Sequence, residues 1–545
     1  MKTPFKAHAI LGLITIGALC TPASVRAASQ TWNSDGSSAN WDSTTNWGGN
    51  TAPGATSGSV STDVATFNSA VGTVGTSGNP IVIDANRNIY ELSFSGAPGS
   101  FTIGSAAGNT LKITSGGRII INSAMTNTSL ATQTVNAPMD LYGSLTLTNN
   151  SANGSGTGSG LLSVGGNIKA ATSSPVTLTL RGSNTNNNVV SGTISNGTSS
   201  ALSLTKTDSG LWRLTGTNSF TGNVLIYAGT LVANSIANSG VDSALGAGSS
   251  ISLGQNSASV GMGTLSYAGS TASSNRTITI ANGASGGAGT IAVTTAGQTL
   301  TLSGNVSASN TSAASTLRIN GVGNGVLSGT ITGTPNMAIT KEGTGTWTFS
   351  AANTYSGITT VSAGTLLING DQSLATGNVT VSNSGTVLGG SGDIGGATVL
   401  GIGTKLSAGS ATGLAGELTF HNGLDLSAAS NNSGAYIFDL GAVATSDMIT
   451  ITSGTLSLGT LDATDFSFNL LAGFGNGEYT LFAASSTISG SIGTSTINFA
   501  GDRTGTLSID DVNNRVLLTV VPEPSAAALF GGAGMMLFLF RRKRC

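Results

Sequence analysis

Apolar and polar residues alternate strictly over short runs through most of the chain. Ser144-Leu145-Thr146-Leu147-Thr148, Val176-Thr177-Leu178-Thr179-Leu180 and Arg276-Thr277-Ile278-Thr279-Ile280 are typical. A period of two puts one apolar row on one side of the chain and a Thr/Ser row on the other, as a half-buried strand requires. Clusters of Gly, Asn and Ser separate the runs and supply corners that need positive φ. No stretch between the termini carries convincing 3.6-residue periodicity. The pattern predicts an all-β body.

An internal repeat narrows the architecture. Residues 204–234 align without a gap on 339–369 at a constant offset of 135, with Thr205/Thr340, Lys206/Lys341, Gly210/Gly345, Trp212/Trp347, Asn218/Asn353 and Gly222/Gly357 identical. Ala228-Gly229-Thr230-Leu231 matches Ala363-Gly364-Thr365-Leu366 completely. Trp212 and Trp347 share strand parity with Leu214 and Phe349, which predicts inward-pointing indoles. Three short strands with turns make a rung of roughly 20–25 residues. The offset then fits about six rungs and predicts one angular position for both indoles, roughly 29 Å apart along the axis.

Composition agrees with stacked strands. Only 8% of the 545 residues are charged, against about 25% in ordinary globular proteins. Stacking places equivalent side chains about 4.8 Å apart, where like charges repel by roughly 0.9 kcal/mol even in water; Thr, Ser and Asn form neutral ladders instead. The charge deficit argues against helical bundles and charged disordered chains. A net charge of −2 leaves no basic surface for nucleic acid. A string of β-sandwiches is the competing architecture, and it predicts compact units of about 100 residues joined by linkers.

The pattern Thr-Lys-x-x-x-Gly-x-Trp, then aromatic-x-Gly, then Ala-Gly-Thr-Leu, resembles the autotransporter-associated β-strand repeat. That resemblance implies a passenger-like, right-handed parallel β-helix exposed at a cell surface. Autotransporters end in an outer-membrane β-barrel, whereas this chain ends in a pattern that reads as a sorting tail, so self-secretion is not implied.

Both ends read as processing signals. Residues 1–27 resemble a secretory signal peptide: Lys2 and Lys6, an apolar stretch at 9–19 too short to span a bilayer, and Val25-Arg26-Ala27 before a cut between Ala27 and Ala28. Leu19 beside Cys20 argues against a lipoprotein. The C-terminus has Val521-Pro522-Glu523-Pro524, an uncharged apolar run at 526–540, then Arg541-Arg542-Lys543-Arg544-Cys545. This order resembles the PEP-CTERM sorting signal of Gram-negative bacteria, with Pro522, Glu523 and Pro524 as the motif. It implies a transmembrane helix with its basic end in the cytoplasm, recognition by an exosortase-type enzyme, and cleavage near the motif; retention of the tail as an anchor is the alternative. Between residues 28 and 521 lie 13 of the 20 basic and 21 of the 22 acidic side chains, a balance of −8, and neither cysteine. A disulfide-free body must be held by stacking, despite an exported setting.

The expected organisation is a signal peptide (1–27), a Trp-rich segment (28–70), a β-solenoid (71–433), a C-terminal β region (434–520) and the sorting tail (521–545). Trp32, Trp41 and Trp47 either cap the solenoid or offer a stacking platform for sugars. Candidate catalytic chemistry is sparse. Without His8, His421 alone could serve a Ser-His-Asp triad, and the shortage of His and Cys excludes a conventional zinc site. Asp510-Asp511, a conceivable glycosidase pair, sits in a turn-forming Asp-Asp-Val-Asn-Asn-Arg string. Gly389-Gly390-Ser391-Gly392-Asp393 is similar to a calcium-binding nonapeptide, with its Asp one residue early.

No catalytic residue, metal or cofactor is assigned. The expected function is that of an exported structural or adhesive β-solenoid, with secretion machinery, an exosortase-type enzyme and the membrane as partners, and extracellular polysaccharide as a further one. A polysaccharide-acting β-helix enzyme and a non-catalytic glycan-binding protein are the competing readings.

Overall fold

The computed structural model describes residues 29–523, except 34–37, 198–200, 255–261, 282–285, 310–312, 334–335, 410–414 and 430–431. Ala27, Ala28, Pro524, the apolar run at 526–540 and the basic residues Arg541, Arg542, Lys543 and Arg544 lie outside the described residues. Among the described residues no helix is long and apolar enough to cross a membrane; the helical elements there are three single 3-10 turns.

The strands wind into a three-faced β-solenoid. Each turn lays one short strand on a first, a second and a third face in that order, as in Leu202–Lys206, Leu211–Leu214 and the segment at Ser219, whose N–H donates to Ile194 O. The second face is a 16-stranded sheet running from Thr102–Ile103 to Ile488–Ile492, with every neighbouring pair parallel. Eleven strands of a 14-stranded sheet form the first face in the lower half, and its other three, Met139–Leu141, Ile168–Ala170 and Ile194–Ser195, lie on the third. The first-face column passes from Val306 to Ile331 and Thr354 and is taken over by an eight-stranded sheet beginning at Asp371–Gln372. A nine-stranded sheet from Ala272–Ser274 to Phe466–Leu470 forms the upper third face. These columns continue past residue 434 without a linker, which excludes a string of sandwiches.

Alternation becomes burial directly: Val176–Arg181 alternates buried and half-exposed, with Val176, Leu178 and Leu180 inside. The apolar interior therefore runs along the whole axis rather than forming a compact centre. Trp32, Trp41 and Trp47 close its lower end. Trp47 lies 5.0 Å from Trp32 and 4.8 Å from Trp41, and Phe67 packs 6.1, 6.4 and 6.1 Å from Trp32, Trp41 and Trp47. All three indoles are buried, and none is available for stacking on a sugar. At the upper end the chain turns antiparallel: Gly477–Ala484 pairs with Arg515–Pro522, which pairs with Arg503–Asp510. Phe499 from the last hairpin lies over Phe468 and Phe474.

The repeat sits differently from the six-turn expectation. Trp212 and Trp347 are both fully buried, as parity predicts, but they occupy different faces. Stepping up the second face from Trp212, the register runs Leu231, Leu265, Ile291, Ile319 and then Lys341. These steps span 19, 34, 26, 28 and 22 residues. The offset is thus five turns plus one face, because insertions at the corners stretch the rungs unequally. The common angular position is refuted, while the single continuous solenoid stands.

Candidate functional site

The repeat encodes a cage. Leu202, Leu204 and Lys206 share inward parity, so Lys206 enters the wall from a strand end and is fully buried. Its Nζ donates to the carbonyls of Thr207, Asp208 and Ala228 at 2.5, 2.6 and 3.0 Å. Lys341 does the same to Glu342, Gly343 and Ala363 at 3.0, 2.7 and 2.8 Å. Each ammonium spends its three N–H donors on a corner of its own rung and on the next rung. Burial pushes both lysines down to about 8, opposed by the carboxylates of Asp208 and Glu342.

The other repeat residues fit around that cage. Gly229 and Gly364 adopt φ of +67° and +66°. A Cβ there would come within 2.4 Å of Asp208 O or 2.5 Å of Gly343 O, and within 2.7 or 2.8 Å of the lysine Nζ. Asn218 Oδ1 accepts from Ile194 N–H and its Nδ2 donates to Ala244 O; Asn353 Oδ1 accepts from Ile331 N–H and its Nδ2 donates to Gln372 Oε1. Arg276 repeats the strategy outside the motif, fully buried with its guanidinium on the carbonyls of Ala237, Leu245 and Gly246. Buried cations here are held by backbone corners, which organise neighbouring turns.

His421 follows the strand Glu417–Phe420 at a corner, and stacking gives it partners that linear spacing does not reveal. Its Nε2 lies 2.7 Å from Asp393 Oδ1, and its Nδ1 lies 3.2 Å from Thr452 Oγ1, linking three successive turns. The Asp-His-Thr string runs along the surface, with His421 and Asp393 about one-third exposed. Asp510 caps a hairpin turn: its Oδ1 accepts from Val512 and Asn513 N–H, and its Oδ2 accepts from Asn513 Nδ2. Gly389 and Gly390 end the strand Val387–Gly390, and Asp393 opens the next face. Of the sorting residues, Pro522 ends the final strand opposite Arg503, and Glu523 N–H donates to Asp502 O. Cross-rung ion pairs, such as Arg118–Glu91, Lys169–Asp140, Arg181–Asp208 and Arg318–Glu342, are spread over the faces rather than gathered on one.

Sequence reasoning gave no sign of a second buried feature. Asp447, almost wholly buried, accepts from Gly416 and Asp439 N–H at 2.7 Å each. Burial pushes its carboxyl up to about 6, with repulsion from the Asp439 carboxylate adding and the two N–H donors opposing. A folded-state value above the unfolded 3.8 means the contribution is complete below about pH 4 and lost as pH rises through 6. Acidification from pH 7 to 4 should therefore stabilise the turns around residues 415–451, by roughly 2–3 kcal/mol. Urea titrations over that range should show the slope flattened in Asp447→Asn, whatever the variant's absolute stability.

Two segments of the chain, 204–233 and 339–368, match the Passenger-associated-transport-repeat family. These are the two caged units. The chain is also similar to the Adhesin BmaC autotransporter of Brucella suis biovar 1 (strain 1330), 31% identical over 254 residues. That alignment takes in 44% of this chain and 7% of the relative, so the chain spans well under a tenth of the relative's length.

Proposed function

We propose that this chain is an exported, non-enzymatic surface protein whose right-handed β-solenoid forms a shaft for adhesion or matrix structure. The observation that carries the reading is the pair of passenger-type repeat units built into one uninterrupted parallel stack. Likeness to an autotransporter adhesin supports it as well. A shaft of this kind is stabilised by nearest-neighbour turns and presents long neutral faces. Residues 1–27 direct export. The tail, with Pro522, Glu523 and Pro524, a membrane helix at 526–540 and its basic end, directs exosortase-type sorting to the surface or surrounding polymer.

Deleting the gene should reduce attachment of cells to a matrix-coated surface, and restoring the full chain should recover it. Removing residues 522–545 should move the protein into the medium or periplasm and abolish the recovered attachment. Unchanged attachment in the deletion strain would sink the adhesive role. Unchanged cell association of the truncated chain would sink the sorting route alone.

A further inference from the structure

The outer side of the third face is concave over its upper turns, enclosing a groove of about 440 Å³, within the size range of ligand sites. Two lanes of outward side chains floor it. Thr346, Thr365 and Val387 stack in one register column. Leu367, Ser407, Ile437 and Ser467 follow the other, passing Gly389, over about 19 Å at the rung spacing. At one end Asp439 stands beside Asn469, whose Nδ2 donates to Asp439 Oδ1 at 2.7 Å.

We propose that this groove binds a stretch of a neutral glycan; the inference rests on the adhesive reading and names its ligand class. Alternating hydroxyls and aliphatic patches match a sugar chain, whose rings offer both C–H faces and hydroxyl edges. At that end the half-buried Asn469 presents its amide oxygen to ring hydroxyls, while the buried Asp439 carboxylate holds the amide in place. An extended peptide fits less well, because the sheet's own N–H and C=O groups are committed to the parallel ladder and leave the peptide backbone unpaired. Polyanionic glycans meet the Asp439 charge with no cation among the lining residues; the half-buried Lys405, which follows Val387 in the first column, stands outside them. Polycations find one carboxylate, which is buried and already bonded.

The test is calorimetric titration of the full chain with cellohexaose, maltohexaose and N-acetylchitohexaose, with oligogalacturonate as the anionic comparison. At least one neutral oligosaccharide should bind saturably. Ser407→Arg and Ser467→Arg fill the groove from outward positions and should each weaken binding by about tenfold or more. Thr380→Arg, exposed on the second face, should leave it unchanged. Absence of saturable neutral-glycan binding, stronger binding of oligogalacturonate, or indifference to both groove variants with unchanged melting temperatures would overturn the proposal. Attachment of cells carrying the groove variants separates the two levels: attachment that persists while glycan binding is lost removes the groove from adhesion and leaves the adhesive role standing.

Discussion

Lys206→Met and Lys341→Met should each destabilise the turns they join by about 3 kcal/mol. Removing either ammonium strands three corner carbonyls, and buried unsatisfied groups cost about 1–3 kcal/mol each. Against this stands the cost of burying the charge: a fall from 10.5 to about 8 corresponds to roughly 3 kcal/mol. The stranded carbonyls outweigh the relieved charge. The same values fix a pH dependence. A folded-state value below that of the unfolded chain means protons bind the unfolded chain more tightly, so stability contributed by each lysine rises as pH climbs from about 8 to 10.5. Local hydrogen-exchange stability across that window should show the rise in the parent protein and its loss at the corresponding corner in each Met variant. A variant as stable as the parent would mean that the cage is incidental to the repeat.

The cage also shows what a linear chain discloses about a solenoid. Strand positions and inward parity were legible because each depends on residues two apart: Leu202, Leu204 and Lys206 declare a wall, and Trp212 with Leu214 declares an interior. The identity of Lys206 and Lys341 was visible, yet their role was not, because the third carbonyl of each cage lies 22 residues away. A lysine at an inward position of an alternating strand was the available signal. Register escaped for a related reason. Each turn absorbs insertions at its corners, such as residues 234–249, without disturbing the strands on either side, so rung length varies and the phase of a long offset drifts. The repeat specifies a local corner and the turn above it, and either pair of adjacent faces can host that unit. His421 illustrates the same limit: Asp393 and Thr452, 28 and 31 residues distant, become its neighbours only through stacking.

Trp212→Ala and Trp347→Ala should each cost about 3–5 kcal/mol locally, the range for deleting a buried indole. Replacement by Phe separates the two sites, because their surroundings differ where the repeat does not. Trp212 Nε1 donates to Arg181 O at 2.9 Å from the turn below. Trp212→Phe therefore strands a carbonyl as well as losing volume, adding about 1–3 kcal/mol. Trp347 Nε1 is buried with no partner among the described residues. The indole lies over Gly325, where a Cβ would come within 2.4 Å of its Cε3. Trp347→Phe removes an unpaired donor and should be the milder change by at least 1 kcal/mol. Because each turn is held chiefly by its two neighbours, lost exchange protection should centre on strands 188–233 for the first site and 324–368 for the second. The lower strands around Leu111–Met125 should keep their protection in all four variants. Equal costs for the two Phe variants would contradict the hydrogen-bond assignment, and loss of protection along the whole axis would contradict nearest-neighbour stabilisation of this solenoid.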